Sequence, residues 1–181
     1  MRDNYNTLIK GEKVRLVPYK RKFVEKYHNW MQDAFLQEMT ASEPLTLEGE
    51  YEMQASWRED SSKCTFILLD NLPHPEIRDS SVDNEISAMI GDVNMFLNDH
   101  DDPTVAELEI MIAETSSRGK GMGKEAVLLM MHYGLTVLNL TKFYVKINQI
   151  NTSSLDLFKR LGFVEVNYVP AFEEYELQLR V

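Results

Sequence analysis

Cysteine is almost absent from this 181-residue chain, which contains only Cys64. A disulfide within the chain is therefore impossible, and we expect a reducing, cytoplasmic environment, because disulfides persist mainly in oxidising compartments. The first residues lack the apolar stretch of a secretory signal. Apolar runs also stay well short of the ~20 residues that a membrane-spanning helix needs, so we expect no membrane partner.

Positive charge is scarce as well. The chain has 19 lysine and arginine residues against 29 aspartate and glutamate residues, which gives a formal net charge of −10. We expect no nucleic-acid partner, since binding to a phosphate backbone requires a basic surface. The four histidines lack metal-ligand spacing, so we expect no metal. The length suits one domain with a substantial core, predicted over residues 1–181.

The hydrophobic pattern predicts strands and helices in a mixed order. Predicted strands cover residues 13–19, 64–70, 86–97, 105–114, 142–147, 163–169 and 175–181, and predicted helices cover residues 22–33, 47–57, 121–138 and 152–163. Thr46 is a plausible N-cap, but its capping-box partner would be Gly49, so the box is incomplete. Residues 71–85 are predicted to form a long exposed loop. This order predicts an α/β or α+β sheet with helices on both faces.

Glycine is sparse too, yet three of the eight glycines lie between Gly119 and Gly123, directly ahead of a predicted helix. Glycines allow successive N–H groups to converge on an anion, and a helix N-terminus adds about half a positive charge. Arg118, Lys120 and Lys124 add full positive charges. The stretch therefore predicts a local phosphate site in an otherwise acidic chain.

Two general nucleotide motifs fit this stretch poorly. A Walker A loop requires glycine five positions after its first glycine, where this sequence has Lys124. The dinucleotide fingerprint matches Gly121, Gly123 and Ala126, but it lies two-thirds along the chain, and the next strand lacks the acid that would hold a ribose. A solvated turn with helix-capping glycines is the alternative that needs no ligand.

The spacing Arg118-x-x-Gly121-x-Gly123 resembles the pyrophosphate loop of the GNAT acetyltransferases. A second segment, NTSSLDLFKRLGF (Asn151–Phe163), is similar to the later Asn-x-x-Ser/Ala segment of that superfamily. The stretches TASEPLTLE, KCTFI, GDVNMFL and LTKF resemble the eukaryotic N-acetyltransferase 9 (tubulin N-acetyltransferase) branch, which is related to bacterial ribosomal-protein N-terminal acetyltransferases. The resemblance implies a GNAT fold, with a mixed, mostly antiparallel sheet that splays between its fourth and fifth strands.

The same resemblance implies an activity. It predicts transfer of acetyl from acetyl-CoA to a protein amine by direct attack. We expect an N-terminal α-amine as acceptor, and tubulin is the acceptor that the family branch implies. A monomer or weak dimer is expected. The alternative is a non-catalytic acyl-CoA-binding or scaffold protein.

The resemblance also implies which residues hold acetyl-CoA. They fall on the fourth strand, whose main-chain groups would pair with the pantetheine arm, on the glycine-rich loop and on the later segment: Met111, Ile112 and Ala113; Arg118, Gly119, Lys120, Gly121, Met122, Gly123 and Lys124; Asn151, Ser154 and Lys159. Asn151 and Ser154 could equally serve as helix caps.

Glu107 and Glu109 are the expected proton acceptors. They alternate along the fourth strand and so point to one face, where two carboxylates are costly unless they meet water or a partner. Related enzymes use a glutamate of this strand as the base, and we expect Glu109, then Glu107. The alternative without a catalytic role is that both glutamates simply point to solvent from alternate positions of an edge-like strand. Many relatives protonate the departing thiolate with a tyrosine where this sequence has Phe158, so Ser154 or water would replace that donor.

Overall fold

The computed structural model of the protein describes residues 4–71 and 82–181. Its strands are β1 Ile9–Lys10, β2 Val14–Pro18, β3 Lys63–Asp70, β4 Met89–Phe96, β5 Val105–Ile112, β6 Lys142–Asn148, β7 Val164–Val169 and β8 Glu174–Arg180. Its α-helices are α1 Val24–Trp30, α2 Ala34–Met39, α3 Leu47–Glu59, α4 Val82–Ala88, α5 Met122–Val137 and α6 Thr152–Arg160. No helix in the described part of the chain combines the length and apolarity needed to cross a membrane.

The strands form one sheet in the order β1-β2-β3-β4-β5-β6-β8-β7. The β5–β6 pair is parallel, and the other neighbouring pairs are antiparallel. The β5–β6 pairing joins only residues 105–107 to residues 142–144. Beyond Glu107 the two strands separate, while β5 stays paired with β4 as far as Ile112. This confirms the expected GNAT sheet, which is mostly antiparallel and splayed between these two strands.

Helices cover both faces of the sheet, as the sequence predicted. α5 and α6 share one hydrophobic cluster with Phe66, Met95 and Phe143 of the strands. α1, α2 and α3 pack on a second cluster that contains Ile67 and Leu69. Neighbouring side chains of a strand point to opposite faces, so β3, buried along its whole length, supplies both clusters. We call the two sides of the sheet the α5 face and the α1 face.

Three elements differ from the sequence prediction. Residues 86–88, predicted to begin a strand, lie in α4, and β4 begins at Met89. α4 also replaces the end of the predicted loop 71–85, of which residues 72–81 lie outside the described part. A short apolar run does not distinguish helix from strand, and here Ile86 and Ala88 pack on the α1-face cluster. The sequence analysis missed β1 and α2; α2 is capped by the Asp33 side chain.

Candidate active site

A groove of about 590 Å³ opens where β5 and β6 separate, and we call it the splay groove. Its walls come from α2, the end of β5, the glycine-rich loop and the start of α6. The structure brings together here the following residues that the sequence nominated: Met111, Ile112, Arg118, Gly119, Gly121, Met122, Gly123, Lys124, Asn151 and Ser154. Sequence reasoning missed the α2 wall, which contributes Phe35, Leu36, Met39 and Thr40.

The glycine-rich loop has the backbone shape of an anion cradle. Gly119 and Gly121 have φ values of 72° and 81°, in the left-handed region that favours glycine. Gly121 is the residue immediately before α5, so the partial positive charge of a 16-residue helix adds to the loop. Arg118 and Lys124 line the groove beside it. Left-handed glycines, a helix N-terminus and two cations together fit the pyrophosphate of a polyanionic ligand.

Arg118 also braces the end of β5. Its Nε donates to the Ile112 carbonyl at 2.8 Å and its Nη2 to the Ala113 carbonyl at 3.3 Å. The Ala113 N–H donates to the Ile90 carbonyl of β4 at 2.8 Å. Both main-chain groups of Ala113 are therefore engaged, and Ala113 does not line the groove.

Main-chain direction identifies the residue of β5 that faces the gap. Successive residues of a strand direct their N–H and C=O groups alternately to the two neighbouring strands. The Thr104 carbonyl accepts from the N–H groups of Thr141 and Lys142 on the β6 side, whereas the Ala113 N–H points to β4. The N–H and C=O groups of even-numbered residues of β5 are therefore directed toward β6. Of the even-numbered residues beyond Glu107, Leu108 does not line the groove, whereas Ile110 and Ile112 do, so Ile110 is the first that combines this main-chain direction with a place in the groove.

The start of α6 forms the opposite wall of the groove. Asn151 caps this helix, because its Oδ1 accepts from the Ser154 N–H and the Ser153 hydroxyl, both at 3.2 Å. Capping and groove lining therefore coincide at Asn151. Lys159 lies elsewhere: its ammonium is 3.8 Å from the Glu165 carboxylate and does not line the groove. Arg160 is the basic residue of α6 that does.

Phe158, at the position of the usual tyrosine, also lies outside the groove. Its side chain is 2% exposed, and its ring packs edge-on against Phe163 at 5.1 Å between centroids. A hydroxyl added there would enter the α5-face core. Ser154 is the nominated proton donor that lines the groove.

The two glutamates lie on the α1 face within a group that we call the acid patch: Lys63, Asp92, Asn94, Glu107 and Glu109. Strand register assembles it, because Phe96 is paired with both Lys63 and Glu107, and Asn94 is paired with Glu109. Glu107 accepts from Lys146 Nζ at 3.0 Å. The Glu109 carboxylate accepts no hydrogen bond within the described part of the chain. Of the two glutamates, Glu109 is thus the one that could accept a proton without breaking an ion pair within the described part of the chain.

Electrostatics distinguish Glu109 further. Solvent reaches its side chain, but the surrounding protein desolvates the carboxylate and raises its pKa to about 7, a shift that the Lys63 ammonium opposes and Asp92 reinforces. Lys63 is buried, with Nζ 3.0 Å from the Trp57 ring centroid, and burial lowers its pKa to about 8. Glu109 does not line the splay groove, yet it directly precedes Ile110, which does. Glu109 and the groove are therefore one residue apart along β5.

Asp92 is the buried carboxylate of the acid patch. It accepts from Asn94 Nδ2 at 2.8 Å and from the Tyr27 hydroxyl at 3.4 Å, and burial raises its pKa to about 6. Sequence reasoning did not single out Lys63, Asp92 or Asn94, because their proximity to Glu109 depends on strand register. Among the residues that the structure describes, no three His, Cys, Asp or Glu side chains could hold a metal ion.

Comparison with known proteins identifies the family. Residues 13–164 match the family model described as Acetyltransferase (GNAT) domain. The human alpha/beta-tubulin-N-acetyltransferase 9 is 52% identical over 182 residues, covering 100% of this chain and 86% of that protein.

Two solved structures have the same fold. The Vibrio cholerae spermidine N-acetyltransferase in complex with CoA and spermine is similar with a TM-score of 0.77 at 20% identity, covering 94% of this chain and 96% of that one. The ribosomal L7/L12 alpha-N-protein acetyltransferase RimL reaches 0.77 at 14% identity, covering 97% and 94%. The chain therefore belongs to the GNAT family of acetyltransferases.

Proposed function

We propose that this N-acetyltransferase acetylates the N-terminal α-amine of a protein, with tubulin as the first acceptor to test. Acetyl-CoA is its co-substrate and supplies the activated acetyl thioester. The observation that carries the proposal is that Glu109, a carboxylate with a raised pKa, directly precedes Ile110 on β5, and Ile110 lines the splay groove with its phosphate loop. The name of the 52% identical human relative supports tubulin as the acceptor.

The proposed donor site uses main-chain groups and a few cations. The N–H groups between Gly119 and Gly123, the N-terminus of α5, Arg118 and Lys124 would hold the pyrophosphate. The N–H and C=O of Ile110, directed toward the gap, would bind the amide-bearing pantetheine arm as an added strand. Asn151 and Ser154 would line the arm from α6. All of these residues belong to one chain, so a monomer suffices.

The proposed proton acceptor is Glu109. Only a neutral amine attacks a thioester, and a base with a pKa of about 7 matches that task near neutral pH. Glu107 is the weaker candidate because Lys146 already holds its carboxylate. Ser154, which lines the groove, would protonate the departing thiolate. The thiolate is a tolerable leaving group even without that help, since a free thiol has a pKa of about 8.5.

The base also favours one class of acceptor. A peptide α-amine has a pKa of about 7.7–8.0, so neutralising it at pH 7 costs roughly 1–1.4 kcal/mol. A lysine amine has a pKa of about 10.4, and the cost rises to roughly 4.6 kcal/mol. Glu109 is therefore better matched to the α-amine. The net charge of −10 favours acceptors with a basic residue near that amine, and the single cysteine, Cys64, supports a reducing, cytoplasmic setting.

Matched peptides test the proposal. One peptide carries a tubulin N-terminal sequence with a free α-amine and blocked lysines, and the other carries a blocked α-amine and one free lysine. Mass spectrometry after incubation with acetyl-CoA at neutral pH should show faster acetylation of the first peptide. Faster acetylation of the lysine peptide would overturn the acceptor class. Tight CoA binding without turnover on any acceptor would favour the non-catalytic scaffold.

A further inference from the structure

Glu125 is an acidic residue in the first turn of α5, the helix whose N-terminus is proposed to hold a polyanion. A free carboxylate at this place would repel phosphate. The structure shows instead that it is tied to the turn before β2. Its Oε1 accepts from the Glu12 N–H at 2.9 Å, and its Oε2 accepts from the N–H groups of Lys13 and Val14, both at 2.8 Å. Three N–H donors therefore fix the carboxylate against this turn.

A second contact runs in the opposite direction. Lys13 Nζ donates at 2.8 Å to the carbonyl of Lys120, inside the glycine-rich loop. A Cβ built on Gly121 would lie 2.8 Å from Lys13 Nζ, and one built on Gly11 would lie 2.8 Å from the Glu125 carboxyl carbon. A side chain on either glycine would therefore displace Lys13 or Glu125 from its present position. We call Lys13, Lys120, Glu125 and the turn 11–14 the loop clamp.

We propose that the loop clamp positions the phosphate loop for CoA binding, with Lys13 and Glu125 as its positioning residues. The inference rests on the proposed donor site. A loop with two left-handed glycines has many alternative conformations, and ordering it on binding reduces affinity. The clamp holds the Lys120 carbonyl between those two glycines, so part of that ordering precedes binding. Lys13 does not line the splay groove and acts through the loop.

The clamp links two distant segments thermodynamically. Lys13 and Glu125 are 112 positions apart in the chain. If the clamp favours CoA binding, bound CoA must favour the clamp by the same factor. Bound CoA should therefore slow hydrogen exchange at the amides of Glu12, Lys13 and Val14, although these residues lie outside the groove. A purely structural contact would leave these rates unchanged.

Calorimetric titration with CoA tests the clamp in four variants of the full chain. Lys13→Met should raise the Kd for CoA about threefold, because an exposed charged contact is weak, and Lys13→Arg should restore most of the affinity. Glu125→Gln should raise the Kd about tenfold, since it weakens three bonds to a charged acceptor. Lys10→Met is the matched control: Lys10 is an exposed lysine of β1 and should leave the Kd unchanged.

Two results would overturn the inference. One is wild-type affinity in both Lys13→Met and Glu125→Gln. The other is hydrogen exchange at Glu12–Val14 that saturating CoA leaves unchanged in the wild-type chain, a measurement that does not depend on any variant folding. Failure of the wild-type chain to bind CoA would instead overturn the proposed function together with the clamp.

Discussion

Replacing Glu109 with glutamine should slow acetyl transfer most near pH 7, where an acceptor α-amine is still largely protonated. Glutamine keeps the size of the side chain and removes its capacity to take a proton. Glu109 lies outside the splay groove, so the affinity for CoA should stay close to that of the wild-type enzyme. The effect should therefore fall on kcat/KM for the acceptor.

The pH profile follows from the raised pKa of about 7. The Glu109 carboxylate should pass from mostly protonated to mostly ionised as the pH rises through the range around 7. Wild-type kcat/KM should rise through this range. Loss of a general base typically costs about 10²–10⁴ in rate. Above pH 8 the α-amine is mostly neutral, so the ratio of wild-type to variant rates should fall.

The assay is acetylation of a peptide with a free α-amine from pH 6 to pH 9, followed by mass spectrometry. Glu107→Gln is the matched comparison, because Lys146 already holds the Glu107 carboxylate, and it should keep the wild-type dependence on pH. A loss in Glu109→Gln that is equal at every pH would refute proton transfer and indicate positioning. An unchanged rate would exclude Glu109 altogether.

Three further predictions concern cofactor binding and stability. Gly121→Val places a branched side chain at φ 81° and should reduce CoA affinity at least about tenfold. Circular dichroism should show that the fold is intact. Unchanged affinity by calorimetry would contradict the phosphate cradle. Phe158→Tyr buries a hydroxyl in the core and should lower the free energy of unfolding by about 1–3 kcal/mol, measured with urea; higher turnover would instead place this residue at the reaction centre. The folded-state pKa of Asp92, about 6, exceeds the unfolded value of about 3.9, so its ionisation lowers stability as pH rises between them. The free energy of unfolding of Asp92→Asn should therefore rise by about 3 kcal/mol relative to that of the wild type between pH 4 and pH 7. A difference between the two proteins that stays the same at every pH would contradict this prediction.

Local patterns indicated two of the segments that the structure brings together in the splay groove. Gly121 and Asn151 belong to short segments whose backbone needs are evident from a few neighbouring residues. The structure joins them in one groove because the strands that precede their helices are neighbours in the sheet. The sequence analysis reached that arrangement through the resemblance to the GNAT acetyltransferases, which implied that these two strands splay apart.

Contacts that depend on register or on distant segments escaped prediction. Lys63 interacts electrostatically with Glu109 only because β3 and β5 both pair with β4 in one particular alignment. Glu125 contacts Lys13 although the two residues are 112 positions apart in the chain, and no local sequence pattern connects them. α2 has six residues, too few for a hydrophobic period to emerge, although it supplies a wall of the groove. The side-chain direction of Phe158 was likewise set by packing against Phe163.

The short contact between β5 and β6 also has a mechanical consequence. It leaves β1–β5 and β6–β8 connected within the sheet by three residue pairs, with the hydrophobic cluster under α5 and α6 spanning the gap. In the proposed binding mode, the pantetheine amides bond to Ile110 inside that gap. The bound acetyl donor then bridges the two parts of the sheet and makes the sheet stiffer. Each release of CoA removes this bridge and leaves the two parts joined by the short strand pairing and the cluster.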